Sequence, residues 1–581
     1  MFRNPYLVKS VRLQGGKSAA LEMMRGRIVM IGLFFALAYA AVAFRAFEVS
    51  VFQGNALNQP EREALFAYNN ENQGHKPRGD IYDRNGVLLA TTLPGVSLYV
   101  DPALIIGHEE VARDLTRIIP DLDYGVTLQR LQSSNRFVWI RRNITPQQQY
   151  EVLALGQPGL GFERQQRRFY PQGALASHLI GYTNVDNSGL AGLERSFENH
   201  LASGKDLRLS LDIRVQHIVH RELQRAIDDF TGIAGVGIVM DLRNGEIIAG
   251  VSLPDFDPHN AGSAGANEMF NRMTLGVYEL GSIFKVFTTA AGLELANIPL
   301  SKPFDARTPL RFGRHTISDF RGQNRVLTMA EVFMYSSNIG TAKIAEMIGA
   351  EGLRGFYDDL GLLKPMDIVF REVGRPLSPQ NWRHINMLTA SYGHGISTTP
   401  LQTTAAIASI MNGGLLVTPQ FVVDAEALES GGRKNTLSHN APSVRVVSED
   451  TSEKMRALMR LVVSNGTGSK ADVAGYEVGG KTGTADKVGA SGRYERNKRI
   501  SSFVGIYPSS DPQYAILVMV DEPKPNKHSF GFATAGWVSA PAMARIVSSM
   551  ASVLGQKPAL KPKEQDAAHS MLQYISAGGT N

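Results

Sequence analysis

Seventeen consecutive residues without a charge, Ile28–Phe44 (IVMIGLFFALAYAAVAF), constrain this chain more than any other stretch. That length meets the lower limit for a helix that crosses a bilayer, whereas a helix in a water-soluble core usually keeps a polar side. Arg45 interrupts the run, but AFEVSVF continues its character and the arginine head can snorkel to the interface. Six cations precede it (Arg3, Lys9, Arg12, Lys17, Arg25, Arg27) against the single acid Glu22. The charge bias places the N-terminus in the cytoplasm and everything after residue 48 outside. Ala41–Ala43 offers a small-residue cleavage site, yet the leading segment is long and the run exceeds the usual signal-peptide core. The expectation is an uncleaved single-pass anchor over 28–48 behind a cytoplasmic tail, 1–27.

The 581 residues exceed one ordinary core, so two or more domains are expected beyond the anchor. The net charge is only +6 and its cations are scattered, which gives no nucleic-acid footprint. The absence of cysteine removes disulfides, thiolate metal sites and cysteine nucleophiles. After a polar connector, RGDIYDRNGVLLA (Arg78–Ala90) carries a hairpin signal at Asn85-Gly86. Helical periodicity follows over 108–119 and 145–155, the latter opened by Thr145 as N-cap before Pro146. Leu207–Ile227 reads as a strand leading into a helix. Up to about Ala226 there is no catalytic triad, phosphate loop or metal-ligand spacing, and His178, His200, His217 and His220 fall on different elements.

A second domain opens near Gly232. Gly235–Ser252 reads as a hairpin around Arg243-Asn244-Gly245, IFKVFTTAAGLELANI as a buried helix, with further helices in 328–348 and 400–412. Strands at Ser501–Pro508 and Gln513–Pro523 close the domain. Strands at both ends with helices between them predict an α+β fold, a sheet covered by helices. The expected boundaries are a non-catalytic domain over 49–228, a catalytic domain over 229–555 and a mobile tail over 556–581.

Three short patterns carry the chemistry. GSIFK sets Ser282 three residues before Lys285; SSN gives Ser336-x-Asn338, 54 residues further on; GGKTGTA gives Lys481-Thr482-Gly483-Thr484, 145 residues after Ser336. Each is weak alone, but the three in this order are a known signature set. Ser282 and Lys285 share one face of a helical turn, so a neutral Lys285 amine can take the serine proton. Apolar surroundings and the second cation, Lys481, would push Lys285 toward neutrality. Ser282 at a helix start also aims backbone N–H groups at a developing oxyanion. Lys481-Thr482-Gly483 reads as an edge strand. There Gly483 allows close substrate approach, Lys481 with the Thr482 and Thr484 hydroxyls holds a carboxylate, and the backbone N–H groups of Ser282 and Thr484 form the oxyanion hole. Ser336 relays a proton to the leaving amine, and Asn338 orients the substrate amide and Lys285. Tyr494 and Phe530 are expected on the pocket wall. His394 is not needed as a base, because the serine–lysine pair already supplies one. No metal or cofactor is called for.

With these motifs in place the chain resembles the class B penicillin-binding proteins. RGDIYDRNGVLLA, RFYPQGALASHLIG and GLAGLE are similar to that family's pedestal motifs, and SYGHGISTTPLQ to a helix beside its site. The short connector and the GSIFK form resemble the division-specific FtsI type rather than the elongation type. The resemblance implies an elongated mixed pedestal of the dimerisation type below a penicillin-binding transpeptidase domain with an antiparallel sheet. It implies a bacterial inner-membrane D,D-transpeptidase with its catalytic domain outside the cytoplasm. Ser282 would attack the D-Ala-D-Ala donor of a peptidoglycan stem peptide, an acceptor amine from a neighbouring stem would resolve the acyl-enzyme, and β-lactams would trap it. Expected partners are a SEDS-type, FtsW-like glycan polymerase and other division proteins; an elongation enzyme and a non-catalytic division scaffold are the alternatives. The chain departs from the family at Leu280, where a proline is usual, and at Ile283. Arg78 and Gly79 serve either a partner surface or the folding of the pedestal.

Overall fold

The computed structural model describes residues 77–313, 315–423, 444–489 and 493–558, with a few positions between 30 and 44. Most of the expected anchor, the connector after it and the tail from residue 559 lie outside the described residues. Among the described residues no helix is long and apolar enough to cross a membrane. The chain divides at Lys76/Pro77, and the pedestal and the catalytic domain both lie in the unit that begins at Pro77.

The pedestal starts with the expected hairpin, β1 (Ile81–Tyr82) antiparallel to β2 (Leu88–Val100). The buried Asp83 carboxylate accepts the N–H groups of Asn85 and Val87, both at 2.8 Å, and Gly86 supplies the left-handed residue (φ 86°) that the turn requires. β2 pairs along its length with β4 (Leu160–Phe169) and on its other side with β3 (Val138–Ile144), while β1 pairs in parallel with β5 (Leu207–Arg208). Helices α1 (His108–Ile118), α2 (Tyr124–Leu131) and α3 (Pro146–Ala154) close the head around Leu98, Leu115, Ile140 and Val152. Thr145 caps α3 in a reciprocal capping box with Gln148.

The three pedestal motifs meet in one buried ion network. Arg78 lies 2.7 Å from Glu194 and 2.9 Å from Glu198, and Arg168 lies 2.7 Å from the other Glu194 oxygen. Arg168 also donates to the Gly79 carbonyl at 2.7 Å. A Cβ on Gly79 would sit 1.9 Å from the Lys205 carbonyl oxygen. Of the two roles open to Arg78 and Gly79, these contacts support the structural one: both are interior, and neither is presented to a partner.

The catalytic domain is built on a five-stranded antiparallel sheet. The elements that frame the site and the sheet are, in chain order, α4 (Ile213–Asp229), β6 (Ala234–Asp241), β7 (Ile247–Leu253), α5 (Lys285–Glu294), α6 (Met329–Met334), α7 (Asn338–Ile348), α8 (Pro400–Met411), α9 (Glu449–Asn465), β8 (Gly479–Val488), β9 (Tyr494–Tyr507), β10 (Tyr514–Asp521) and α10 (Ser539–Val553). The sheet order is β8-β9-β10-β6-β7, so strands from the two ends of the domain sequence pair at its centre, Asp521 opposite Ala234. Helices α4 and α10 cover one face, with Val219, Leu223, Ile546 and Val547 in the shared core. On the opposite face α8 packs on β6 and β10, α9 on β8, and α5 is enclosed by helices.

Two expectations change. The boundary read at 228/229 falls at the end of α4, yet α4 packs on β6, β7 and α10, so by packing it goes with the catalytic domain. The helical stretch 328–348 is broken at Tyr335–Ser337, because Ser336 adopts a left-handed backbone (φ 61°).

Candidate active site

Ser282 sits half-buried in a tight 3-10 turn, Gly281–Phe284, that runs straight into α5. Gly281 has φ 55°, and a Cβ there would lie 2.7 Å from the Thr484 carbonyl oxygen. A Cβ on Gly483 would lie 2.3 Å from the Leu280 carbonyl oxygen and 2.6 Å from Ser502 Oγ. The serine turn and β8 thus pack backbone against backbone. This corrects the reading of Gly483: the space it leaves is filled by the protein's own Leu280, and its smallness brings Ser282 and Thr484 together. The two segments expected to supply the oxyanion hole are therefore adjacent.

Lys285 and Lys481 are both fully buried, and both converge on Ser336. Lys285 Nζ donates to the Ser336 carbonyl and, at 3.1 Å, to Ser336 Oγ; Lys481 Nζ donates to the same Oγ at 2.8 Å. Burial, then the Lys481 charge, holds the Lys285 pKa well below that of a free lysine, with Asp319 opposing the shift. Burial brings Lys481 down to about 7. Of the two, Lys285 is the one that follows Ser282 by a single helical turn. Once neutral, its two N–H groups are taken by Ser336 and its lone pair is left for the hydroxyl one helical turn away, that of Ser282.

The substrate-binding threonines have partners of their own. Thr482 Oγ1 lies 2.8 Å from Thr467 Oγ1, and Thr484 Oγ1 accepts the Ala535 N–H at 3.2 Å, which leaves the Thr484 proton for a ligand acceptor. Asn338 departs from expectation. Its side-chain amide donates to the Ser318 carbonyl at 2.9 Å, and Lys285 donates to Ser336 rather than to the Asn338 amide oxygen. Tyr494 stands at the rim, its hydroxyl 3.0 Å from Glu279, and Glu279 also accepts the Gly395 N–H at 3.1 Å. His394 lies against Tyr494, ring centroids 5.6 Å apart, and burial followed by the Lys285 charge lowers its pKa. Phe530 is not brought into the cluster: it is 78% exposed and packs edge-on against Trp537.

Three residues that the motif reading does not single out support the site. Glu279 ties the rim together, Thr467 backs Thr482, and Asp319 accepts the Ser337 hydroxyl at 2.7 Å and the Asn338 and Ile339 N–H groups at 2.6 and 3.0 Å. Only Glu279 carries a local signal, its place three residues before Ser282; the others reach the site from loops remote in sequence.

A nucleophile turn, two buried lysines around one serine and an edge strand beside them define a penicillin-recognising serine acyltransferase. Comparison with known proteins agrees. The penicillin binding protein transpeptidase domain matches residues 235–547, and the penicillin-binding protein dimerisation domain matches residues 74–210. The chain is 38% identical over 498 residues to a probable peptidoglycan D,D-transpeptidase FtsI of Caulobacter vibrioides, covering 83% of this chain and 82% of that one. It is 31% identical over 516 residues to a probable peptidoglycan D,D-transpeptidase PenA of Neisseria meningitidis, covering 83% and 85%. Penicillin-binding protein 3 of Mycobacterium tuberculosis, solved in complex with aztreonam, superposes with a TM-score of 0.65 at 25% identity, over 84% of this chain and 99% of that one. The chain belongs to the class B penicillin-binding proteins, as a serine-type peptidoglycan D,D-transpeptidase of the FtsI type.

Proposed function

We propose that this protein cross-links peptidoglycan stem peptides at the division septum through an acyl-enzyme on Ser282. The observation that carries the proposal is the pair of buried lysines sharing the Ser336 hydroxyl beside the Ser282 turn. Neutral Lys285 removes the Ser282 proton as Oγ bonds to the carbonyl carbon of the penultimate D-Ala. The carbonyl oxygen gains charge against the Ser282 and Thr484 N–H groups, while Lys481 and the Thr484 hydroxyl hold the terminal carboxylate. The C–N bond then breaks, and the departing D-Ala amine takes its proton from the Lys285–Ser336–Lys481 chain. An acceptor amine repeats the steps in reverse: its nitrogen bonds to the acyl carbon, it loses a proton to the same chain, and Ser282 Oγ leaves and regains its own. Asn338, its amide braced on Ser318, orients the amide of the donor.

A β-lactam carries its carboxylate and strained amide in comparable positions, so it acylates Ser282 and stays bound. Residues 28–48 anchor the chain in the inner membrane with the N-terminus cytoplasmic. A SEDS-type, FtsW-like polymerase and other division proteins work beside it. Depletion of the protein tests the septal assignment. Filamentous cells, not restored by a Ser282→Ala copy made at normal level, are expected. Spherical cells would point to elongation, and rescue by Ser282→Ala would point to a scaffold.

A further inference from the structure

Ser336 bonds to both lysines, and it occupies a backbone conformation that a serine does not favour. Its φ of 61° lies in the left-handed region, where the Cβ of a non-glycine residue crowds the backbone. That conformation is what turns both the Ser336 carbonyl and its hydroxyl toward Lys285. Something outside the turn must hold it. The preceding helix contributes two backbone bonds, Ser336 N–H to Phe333 O at 3.2 Å and Ser337 N–H to Val332 O at 2.9 Å. The following helix, α7, begins at Asn338 with N–H groups that no earlier turn can satisfy.

Asp319 answers both needs. One carboxylate oxygen takes the N–H groups of Asn338 and Ile339, at 2.6 and 3.0 Å, and the other takes the Ser337 hydroxyl at 2.7 Å. The Ser337 hydroxyl in turn accepts the Gly340 N–H at 3.0 Å. A side chain from another segment thus closes the first turn of α7 and fixes the residue next to Ser336. The negative charge is also placed at the positive end of the helix. We infer that Asp319 is a positioning residue of acylation, which locks the Ser336–Asn338 turn so that Ser336 presents its carbonyl and hydroxyl to Lys285. The inference deepens the proposed acyl-enzyme function and rests on it.

The charged and titratable groups that face Lys285 are Lys481 on β8, His394 on the loop before α8, and Asp319. Lys481 disfavours the charged amine, burial lowers the His394 pKa, and Asp319 is the group that favours the ammonium. Removing that charge lowers the Lys285 pKa, and the free amine appears at lower pH. The sign is opposite to that of a variant that merely loosens the fold, which readmits water around Lys285 and moves the pH midpoint upward.

The test uses the purified full chain in detergent and a fluorescent penicillin, with the second-order acylation rate measured from pH 5 to 9. Asp319→Ala is expected to lower the plateau rate by about 10–100-fold, the loss typical of a misplaced catalytic group. Asp319→Asn keeps an acceptor for both N–H groups, so its plateau should return to within about threefold of the unaltered chain. Its acid limb should move to lower pH. A wild-type plateau in Asp319→Ala, or an unmoved acid limb in Asp319→Asn, would overturn the inference. Should Asp319→Ala fail to fold, the Asp319→Asn limb decides alone. Peptide mapping of the adduct separates the two levels: Ser282 labelled with an unmoved limb rejects Asp319 only, whereas an adduct elsewhere in the unaltered chain rejects the acyl-enzyme function and this inference with it.

Discussion

Adding one methyl group to β8 should disable the site without unfolding the domain. In Gly483→Ala the new Cβ would lie 2.3 Å from the Leu280 carbonyl oxygen, where real Cβ contacts begin at 3.0 Å or more. The second neighbour, Ser502 Oγ at 2.6 Å, can rotate away, but Leu280 O is backbone and moves only with the Leu280–Ser282 turn. The strand and the turn must separate by roughly 0.7–1.1 Å, and a displacement of about 1 Å in a catalytic group costs on the order of 100-fold in rate. Overpacking of this kind costs about 1–3 kcal/mol in stability, which a domain of this size survives. Stopped-flow acylation of the full chain in detergent, with thermal melting alongside, measures both. Gly262→Ala, whose Cβ would meet nothing within 4 Å, is the control. A compact and a bulky β-lactam should slow by the same factor, because the damage lies between Ser282 and Thr484. A rate near that of the unaltered chain would refute the close packing of strand and turn as the cause. A loss confined to the bulky compound would show that Gly483 makes room for substrate instead.

Other consequences concern charge and burial. Glu194→Ala strands two buried guanidinium groups, and about 3–5 kcal/mol of stability should be lost in denaturant titration while the folded fraction still binds penicillin; unchanged stability would return Arg78 to the role of a partner surface. Acylation by an anionic penicillin should rise with pH as Lys285 loses its proton and fall again as Lys481 loses its own near pH 7. The methyl ester of the same penicillin, having no carboxylate for Lys481 to hold, should lack the falling limb; an identical profile for acid and ester would show that Lys481 does not bind the carboxylate. Phe530→Ala should leave the acylation rate within about twofold, since an exposed side chain away from such features rarely matters; a large fall would place Phe530 on the pocket wall after all.

The catalytic side chains are legible because their chemistry demands fixed local spacing. Ser282 and Lys285 must share a helical turn, and Lys481-Thr482-Gly483 must lie along one strand, so each leaves a short pattern in the sequence. Apart from Glu279, what supports them leaves none. Asp319 reaches Asn338 from a separate loop, and Arg78 reaches Glu194 across 116 residues, distances at which periodicity carries no information. The left-handed Ser336 is invisible for a different reason: glycine would announce the turn, whereas serine in a helical pattern hides it. The amphipathic pattern of α4 foretells a helix but not which core its apolar face joins, and so the sequence sets the domain boundary one helix late. Gly483 is recognisable as a place of close approach, but the approaching group can be identified as Leu280 only once the fold brings it there.

Acylation of Ser282 is the step on which every other role in the site depends. Digestion and mass spectrometry of the full chain after reaction with penicillin should find the acyl group on the peptide that contains Ser282, in one-to-one stoichiometry, and Ser282→Ala should carry none. An adduct on any other peptide, or undiminished labelling of Ser282→Ala, would contradict it.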